Sequence, residues 1–163
     1  VLCLDVGTAR GMSALCMLKA FDDLDAQGNI ISIDVLPHSK EIFWNCASDR
    51  KGKISRRQLL SDYTYLIGSR VTFAIGTSKR ILNTLDPQRI NFAYLDGEHE
   101  EETVRNEIEY ISRRQETGDL ILFDDYSPSI FPGVARAVED VKDYDVQILE
   151  VVPDYKMAIA RKL

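Results

Sequence analysis

Two short segments hold the residue types best suited to chemistry: Leu95-Asp96-Gly97-Glu98-His99 and Leu122-Phe123-Asp124-Asp125-Tyr126. Each closes an apolar run, so each stands where a strand ends and a loop begins. If the two strands are neighbours, Asp96, Asp124 and Asp125 converge on one point. Like charges that close repel and raise a carboxyl pKa unless a cation neutralises them. An all-oxygen set favours Mg²⁺, with Mn²⁺ or Ca²⁺ as alternatives. Zn²⁺ is disfavoured because no Cys or second His is placed to help. His99, with an ordinary pKa of about 6.5, can take a proton at neutral pH. The plainer reading makes the acids helix N-caps or solvated loop carboxylates, and His99 a local hydrogen-bonding residue. The coincidence of three acids favours a metal site with a neighbouring base.

A second pattern opens the chain: Asp5-x-Gly7-x-x-x-Gly11-x-Ser13. Gly7 can take positive φ and let the backbone approach a ligand, and Gly11 permits close packing at a helix start. A dinucleotide fingerprint would read GxGxxG, with a pyrophosphate at the helix N-terminus. Here Ala9 replaces the middle glycine and an acid precedes the first. A carboxylate near the ligand would repel phosphate and suits a cation, such as the sulfonium and ammonium of S-adenosylmethionine. Asp34 closes the next strand, where a carboxylate meets ribose hydroxyls.

The elements that must position these residues alternate along the chain. Apolar strand patterns occupy 1–6, 29–34, 71–75, 90–96 and 119–124. Helical patterns occupy 11–22, 38–48, 55–67, 78–85, 100–115 and 133–142. Two final strands, 146–152 and 156–161, flank the turn Pro153-Asp-Tyr155 and form a hairpin, so one of them runs antiparallel to its neighbour. The expected fold is α/β: a Rossmann-like, doubly wound, mostly parallel seven-stranded sheet with a C-terminal antiparallel β-hairpin. Ligands bind such sheets at the carboxyl ends of the strands.

With 163 residues, 45% of them hydrophobic, the chain suits a single domain over 1–163. A net charge of −6 speaks against general affinity for nucleic acid or anionic membrane, and no apolar stretch approaches a membrane span. Three cysteines form no CxxC pair; Cys3 and Cys16 read as core thiols, which fits a reducing, cytoplasmic setting. The basic stretch Arg50-Lys51-Gly52-Lys53 and Arg56-Arg57 reads as a solvated loop, and Phe131-Pro132-Gly133-Val134 as a loop beside the substrate.

On the glycine pattern, Asp34 and the terminal hairpin, the whole chain resembles the class I S-adenosylmethionine-dependent methyltransferases. The resemblance implies that Asp5, Gly7, Thr8, Gly11, Ser13, Asp34, Gly76, Thr77, Ser78 and Asp96 border the cofactor. Gly76 to Ser78 would lie near the adenine, although Thr77 stands where that family usually has an acid. Asp96-Gly-x-His99 with Asp124-Asp125 is similar to the metal-dependent O-methyltransferases, and closer to their sugar type, which has His as base, than to their catechol type, which has Lys. It implies methyl transfer to a hydroxyl of a sugar, natural product or phenol. In that arrangement Asp96, Asp124 and Asp125 hold the metal and His99 is the catalytic base. Related enzymes carry elements before the first strand that cover the active site and help build oligomers. N-terminal elements are therefore expected to be missing here, and a homo-oligomer is one expected partner state beside the small-molecule acceptor. Two alternatives stay open: a metal-independent methyltransferase, and a cofactor-binding but catalytically silent domain.

Overall fold

The computed structural model describes residues 1–153 and 155–163, with Lys51 described in its backbone alone. Seven strands form one sheet in the order β3-β2-β1-β4-β5-β7-β6. They are β1 (Leu2–Val6), β2 (Asn29–Asp34), β3 (Val71–Ile75), β4 (Phe92–Leu95), β5 (Leu120–Phe123), β6 (Tyr144–Val152) and β7 (Tyr155–Lys162). The first five run parallel; β7 pairs antiparallel with both β5 and β6. The expected sheet and hairpin are therefore present. Of the expected turn Pro153-Asp-Tyr155, Asp154 lies outside the described residues.

At the centre of the sheet β1 is apolar on both faces, so helices must cover it from both sides. Cys3, Leu4 and Val6 of β1 are all buried. One core lies against α1 (Met12–Asp23) and α3 (Thr64–Ile67), where Leu15, Leu18, Phe21 and Leu66 meet Cys3 and Ile30. The other lies against α4 (Ser78–Leu82), α5 (Glu101–Ser112) and α6 (Pro132–Glu139), where Leu82, Val104, Ile111 and Val138 meet Val6, Leu95, Ile121 and Phe123. Crossing from one core to the other between β1 and β4 opens a crevice at the carboxyl ends of these strands, the usual ligand position in such sheets. Along β4 and β5 burial alternates: Ala93, Leu95, Ile121 and Phe123 are buried, whereas Phe92, Tyr94, Leu120 and Leu122 are half-buried. The α1 side of the sheet is thus only partly covered beyond β1, where both faces were expected to carry helices.

Several local expectations are corrected. Residues 38–46 are not helical, and a short 3₁₀ turn follows at Ala47–Lys51. The Asp49 carboxylate accepts the backbone N–H of Trp44 (3.0 Å) and Cys46 (3.2 Å), and Trp44 Nε1 donates to the Ile54 carbonyl (2.7 Å). Side-chain bonds to the backbone outcompete the helical ladder there. Residues 55–67 break into α2 (Arg56–Leu59), a 3₁₀ turn at Ser61–Tyr63, and α3. Pro132 and Gly133 are not loop residues but the first turn of α6, as Pro at that position favours. Cys16 is exposed, on the side of α1 opposite its buried residues Ala14, Leu15, Leu18 and Phe21. Arg56, read as part of a solvated loop, is 1% exposed.

Candidate active site

The glycine loop between β1 and α1 turns on positive φ at Gly7 (89°), Ala9 (42°) and Gly11 (93°). Gly7 N–H donates to the Ile33 carbonyl (2.9 Å) and Gly11 N–H to the Thr8 carbonyl (2.7 Å). A Cβ at Gly7 would sit 1.8 Å from the Asp96 carbonyl oxygen, so only glycine lets this loop meet the end of β4. Asp5 was expected to face the ligand; instead it is fully buried beneath the loop. Its Oδ2 accepts from Thr8 Oγ1 (3.1 Å) and Ser32 Oγ (2.8 Å), and burial raises its pKa. Asp5 therefore braces the loop from below through Thr8 and Ser32, and it borders neither cavity beside the loop.

Two cavities flank the loop and share Gly7, Ala9 and Asp96. One, about 550 Å³, is bordered by Asp34, Leu36, Gly76, Thr77, Ser78 and Gly97. The other, about 390 Å³, is bordered by Thr8, Ser13, Cys16, Phe92, Tyr94 and Leu122. Among the expected cofactor residues, Gly7, Thr8, Ser13, Asp34, Gly76, Thr77, Ser78 and Asp96 thus border the crevice. Gly11 instead packs against Leu60. Asp34 is held by backbone donors: Ala9 N–H on Oδ2 (2.5 Å) and Leu36 N–H on Oδ1 (2.6 Å). Thr77 caps α4, its Oγ1 accepting from Arg80 N–H (3.3 Å).

At the far side of the loop, β4 and β5 lie side by side, and Asp124 N–H donates to the Leu95 carbonyl (2.9 Å). This brings Asp96, His99 and Asp125 together, with one ligand atom from each within 4.8 Å of the others. His99 Nε2 lies 3.3 Å from Asp125 Oδ2, within ion-pair reach, yet is buried and without a hydrogen bond among the described residues. The imidazole leans on Phe131, ring centroids 4.3 Å apart. Asp125 takes a left-handed φ of 53°. Burial and the charges of Asp124 and Asp125 push the Asp96 carboxyl up to about 7.

Asp124 does not join this group. Tyr94 Oη donates to its Oδ2 (2.5 Å) and Tyr155 Oη to its Oδ1. The expected cluster of Asp96, Asp124 and Asp125 is thus rearranged, with His99 in the place of Asp124, because two tyrosines occupy both Asp124 oxygens. The two tyrosines and Arg56 were missed from the sequence. Tyr94 had a readable signal, since it stands two residues before Asp96 on β4 and so shares that residue's face. Arg56 had a weaker one, the capping box Ser55-x-x-Gln58 that starts a helix inside the basic stretch.

A family model described as "Methyltransferase domain" matches residues 4–126. The chain belongs to this methyltransferase-domain family. Protein R132 of Acanthamoeba polyphaga mimivirus, itself uncharacterized, is 33% identical over 82 residues, 46% of this chain and 37% of that protein. The chain therefore matches well under half the length of this relative. Among solved structures, the O-methyltransferase TomG of Streptomyces achromogenes, involved in tomaymycin synthesis and solved with S-adenosylmethionine, superposes with a TM-score of 0.69 at 16% identity. That match covers 99% of this chain and 72% of TomG. An O-methyltransferase of Bacillus cereus, solved with S-adenosylhomocysteine, gives 0.69 at 13% identity and covers 99% of this chain and 74% of its own. These likenesses establish the class I methyltransferase fold.

Proposed function

We propose that this chain transfers the methyl group of S-adenosylmethionine to a hydroxyl of a small molecule, such as a sugar, natural product or phenol, assisted by a divalent cation. The observation that carries the reading is the meeting of Asp96, His99 and Asp125 beside a glycine loop flanked by two cavities. The cofactor complexes of TomG and the Bacillus cereus enzyme support the choice of cofactor.

Methyl transfer is an in-line displacement at the sulfonium carbon, so positioning is the main requirement. The adenosine half fits the cavity bordered by Asp34 and Gly76, with the Asp34 carboxylate toward the ribose hydroxyls. The methionine tail fits the cavity bordered by Ser13. The sulfonium then crosses between them beside Asp96, the acid that borders both. Two neighbouring carboxylates, Asp96 and Asp125, fit a divalent ion, and the buried His99 Nε2 beside them has no hydrogen bond among the described residues and is free to take a proton. Asp96 and Asp125 would hold Mg²⁺, which when bound supplies Lewis-acid polarisation of the acceptor hydroxyl. His99 Nε2 is the base that takes the hydroxyl proton as the C–S bond breaks and the O–CH₃ bond forms. Asp124, gripped by Tyr94 and Tyr155, anchors the end of β5 behind this group.

Labelled-methyl transfer to panels of sugar, phenol and polyketide hydroxyls, with and without Mg²⁺, tests the reading. Asp125→Asn should lose at least about 100-fold in activity together with Mn²⁺ binding. His99→Ala should lose about 10²–10⁴-fold in rate yet still bind Mn²⁺. Full activity in both variants would sink the mechanism, and loss of Mn²⁺ from His99→Ala would make His99 a ligand instead of the base. The engagement of Asp124 by two tyrosines favours one further reading, a metal-independent methyltransferase whose acids orient the acceptor; activity unchanged by EDTA would select it.

A further inference from the structure

The segment between β2 and β3 carries a cation into the interior. Arg56 is 1% exposed and its guanidinium lies over two aromatic faces, 5.5 Å from the Trp44 ring centroid and 5.8 Å from that of Phe73. Its Nε donates to the Ala9 carbonyl (2.6 Å), and its Nη2 lies 3.2 Å from Asp34 Oδ2. That same Asp34 oxygen accepts Ala9 N–H. Ala9, held in the left-handed region, is thus gripped at both polar groups of its backbone, its N–H by Asp34 and its C=O by Arg56.

The rest of the turn repeats the contact. Leu60, directly after α2, packs on Gly11, where a Cβ would come within 3.0 Å of Leu60 Cδ1. The capping box sets the start of α2: Ser55 N–H donates to Gln58 Oε1 (2.6 Å) and Gln58 N–H to Ser55 Oγ (3.2 Å). Packing alone does not call for a cation between Trp44 and Phe73, where an apolar chain of similar length would fill the space at lower desolvation cost. The guanidinium is accounted for by what it joins: the loop carbonyl and the acid at the end of β2.

We infer that Arg56 is a positioning residue for the cofactor: it locks the glycine loop and Asp34 into one rigid cradle for the nucleoside half. The inference rests on the cofactor reading above. Without Arg56, Asp34 keeps its backbone donors but loses its cationic partner, and the loop keeps its glycines but loses the anchor on Ala9. Both sides of the nucleoside cavity then move independently, and the ligand must order them on binding.

The test is S-adenosylhomocysteine and adenosine binding by calorimetry to the wild-type chain, Arg56→Lys, Arg56→Met, Asp34→Asn and the double variant Arg56→Met/Asp34→Asn. Arg56→Lys keeps the charge but not the fork, and should weaken both ligands about 5–10-fold with little change in melting temperature. Arg56→Met should weaken both about 50-fold or more, and the loss should shrink in the Asp34→Asn background, since the two residues act as one unit. A merely structural role would lower the melting temperature without this coupling. If Arg56→Met fails to fold, Arg56→Lys decides. Folded Arg56 variants that bind both ligands within twofold of wild type, or losses that simply add to that of Asp34→Asn, would overturn the inference alone. A wild-type chain that binds neither ligand would overturn the cofactor reading, and this inference with it.

Discussion

At the scale of single residues, the crevice is ruled by where charge is buried. Asp5, Asp34 and Arg56 are almost fully buried and hold one another's surroundings in place. Glu107 on α5 is buried as well, with Oε1 lacking a hydrogen bond among the described residues. Burial pushes its carboxyl from 4.5 up to about 7. The fold thus favours the protonated acid. Its contribution to stability is complete below about pH 4.5 and is lost as pH rises through 7. Glu107→Gln should match wild type near pH 4 and exceed it by up to about 3 kcal/mol near pH 8. Thermal unfolding across this range checks it, and a difference independent of pH would refute it.

At the scale of elements, the glycine loop depends on close approach more than on backbone conformation. Gly7 and Gly118 share nearly the same φ, 89° and 94°. A Cβ at Gly118 would meet nothing within 4 Å, whereas at Gly7 it would collide with the end of β4. Gly118→Ala should therefore cost only the left-handed strain, about 1–2 kcal/mol. Gly7→Ala should cost on the order of 3 kcal/mol or more, because the loop must also leave β4. Denaturant unfolding of the pair separates the two contributions; equal losses would mean that the contact with Asp96 is soft. The strands were legible in the sequence because each is a short, largely apolar run closed by polar residues, most continuous in β1, which is buried on both faces. The 38–67 excursion was not, since its turns are set by Asp49, Ser55 and Gln58 bonding to the backbone, and these bonds leave no hydrophobic period.

At the scale of the whole molecule, the crevice lies where the two cores meet, and its floor is the sheet itself. A ligand in the two cavities would touch β1, β2, β4 and β5 and the turn after β3 at once. Such a ligand binds the native state alone and stabilises all of it. S-adenosylhomocysteine at about 100 times its Kd should add about 2.7 kcal/mol. For a domain of this size the melting temperature should rise by about 5–10 °C. A scan showing no shift at saturating ligand would count against the cofactor reading at this scale, independently of any catalytic assay.

The amino-acid sequence by itself determined the order of the strands, the hairpin and the placement of acids at strand ends. Each follows from short-range patterning: apolar runs, glycine spacing and the turn between two strands. The sequence placed Asp96, Asp124 and Asp125 together with His99 beside them, because adjacent parallel strands bring their ends together; the grouping of Asp96, His99 and Asp125 came from the structure. The tertiary structure alone decided that Asp5 lies beneath the loop, that Tyr94 and Tyr155 take Asp124 out of the group, and that Arg56 is buried. The physical reason is range. Arg56 bonds to Ala9 across 47 positions, and Tyr155 reaches Asp124 across 31. Whether a charged side chain can be buried depends on such distant partners, and no local pattern records them.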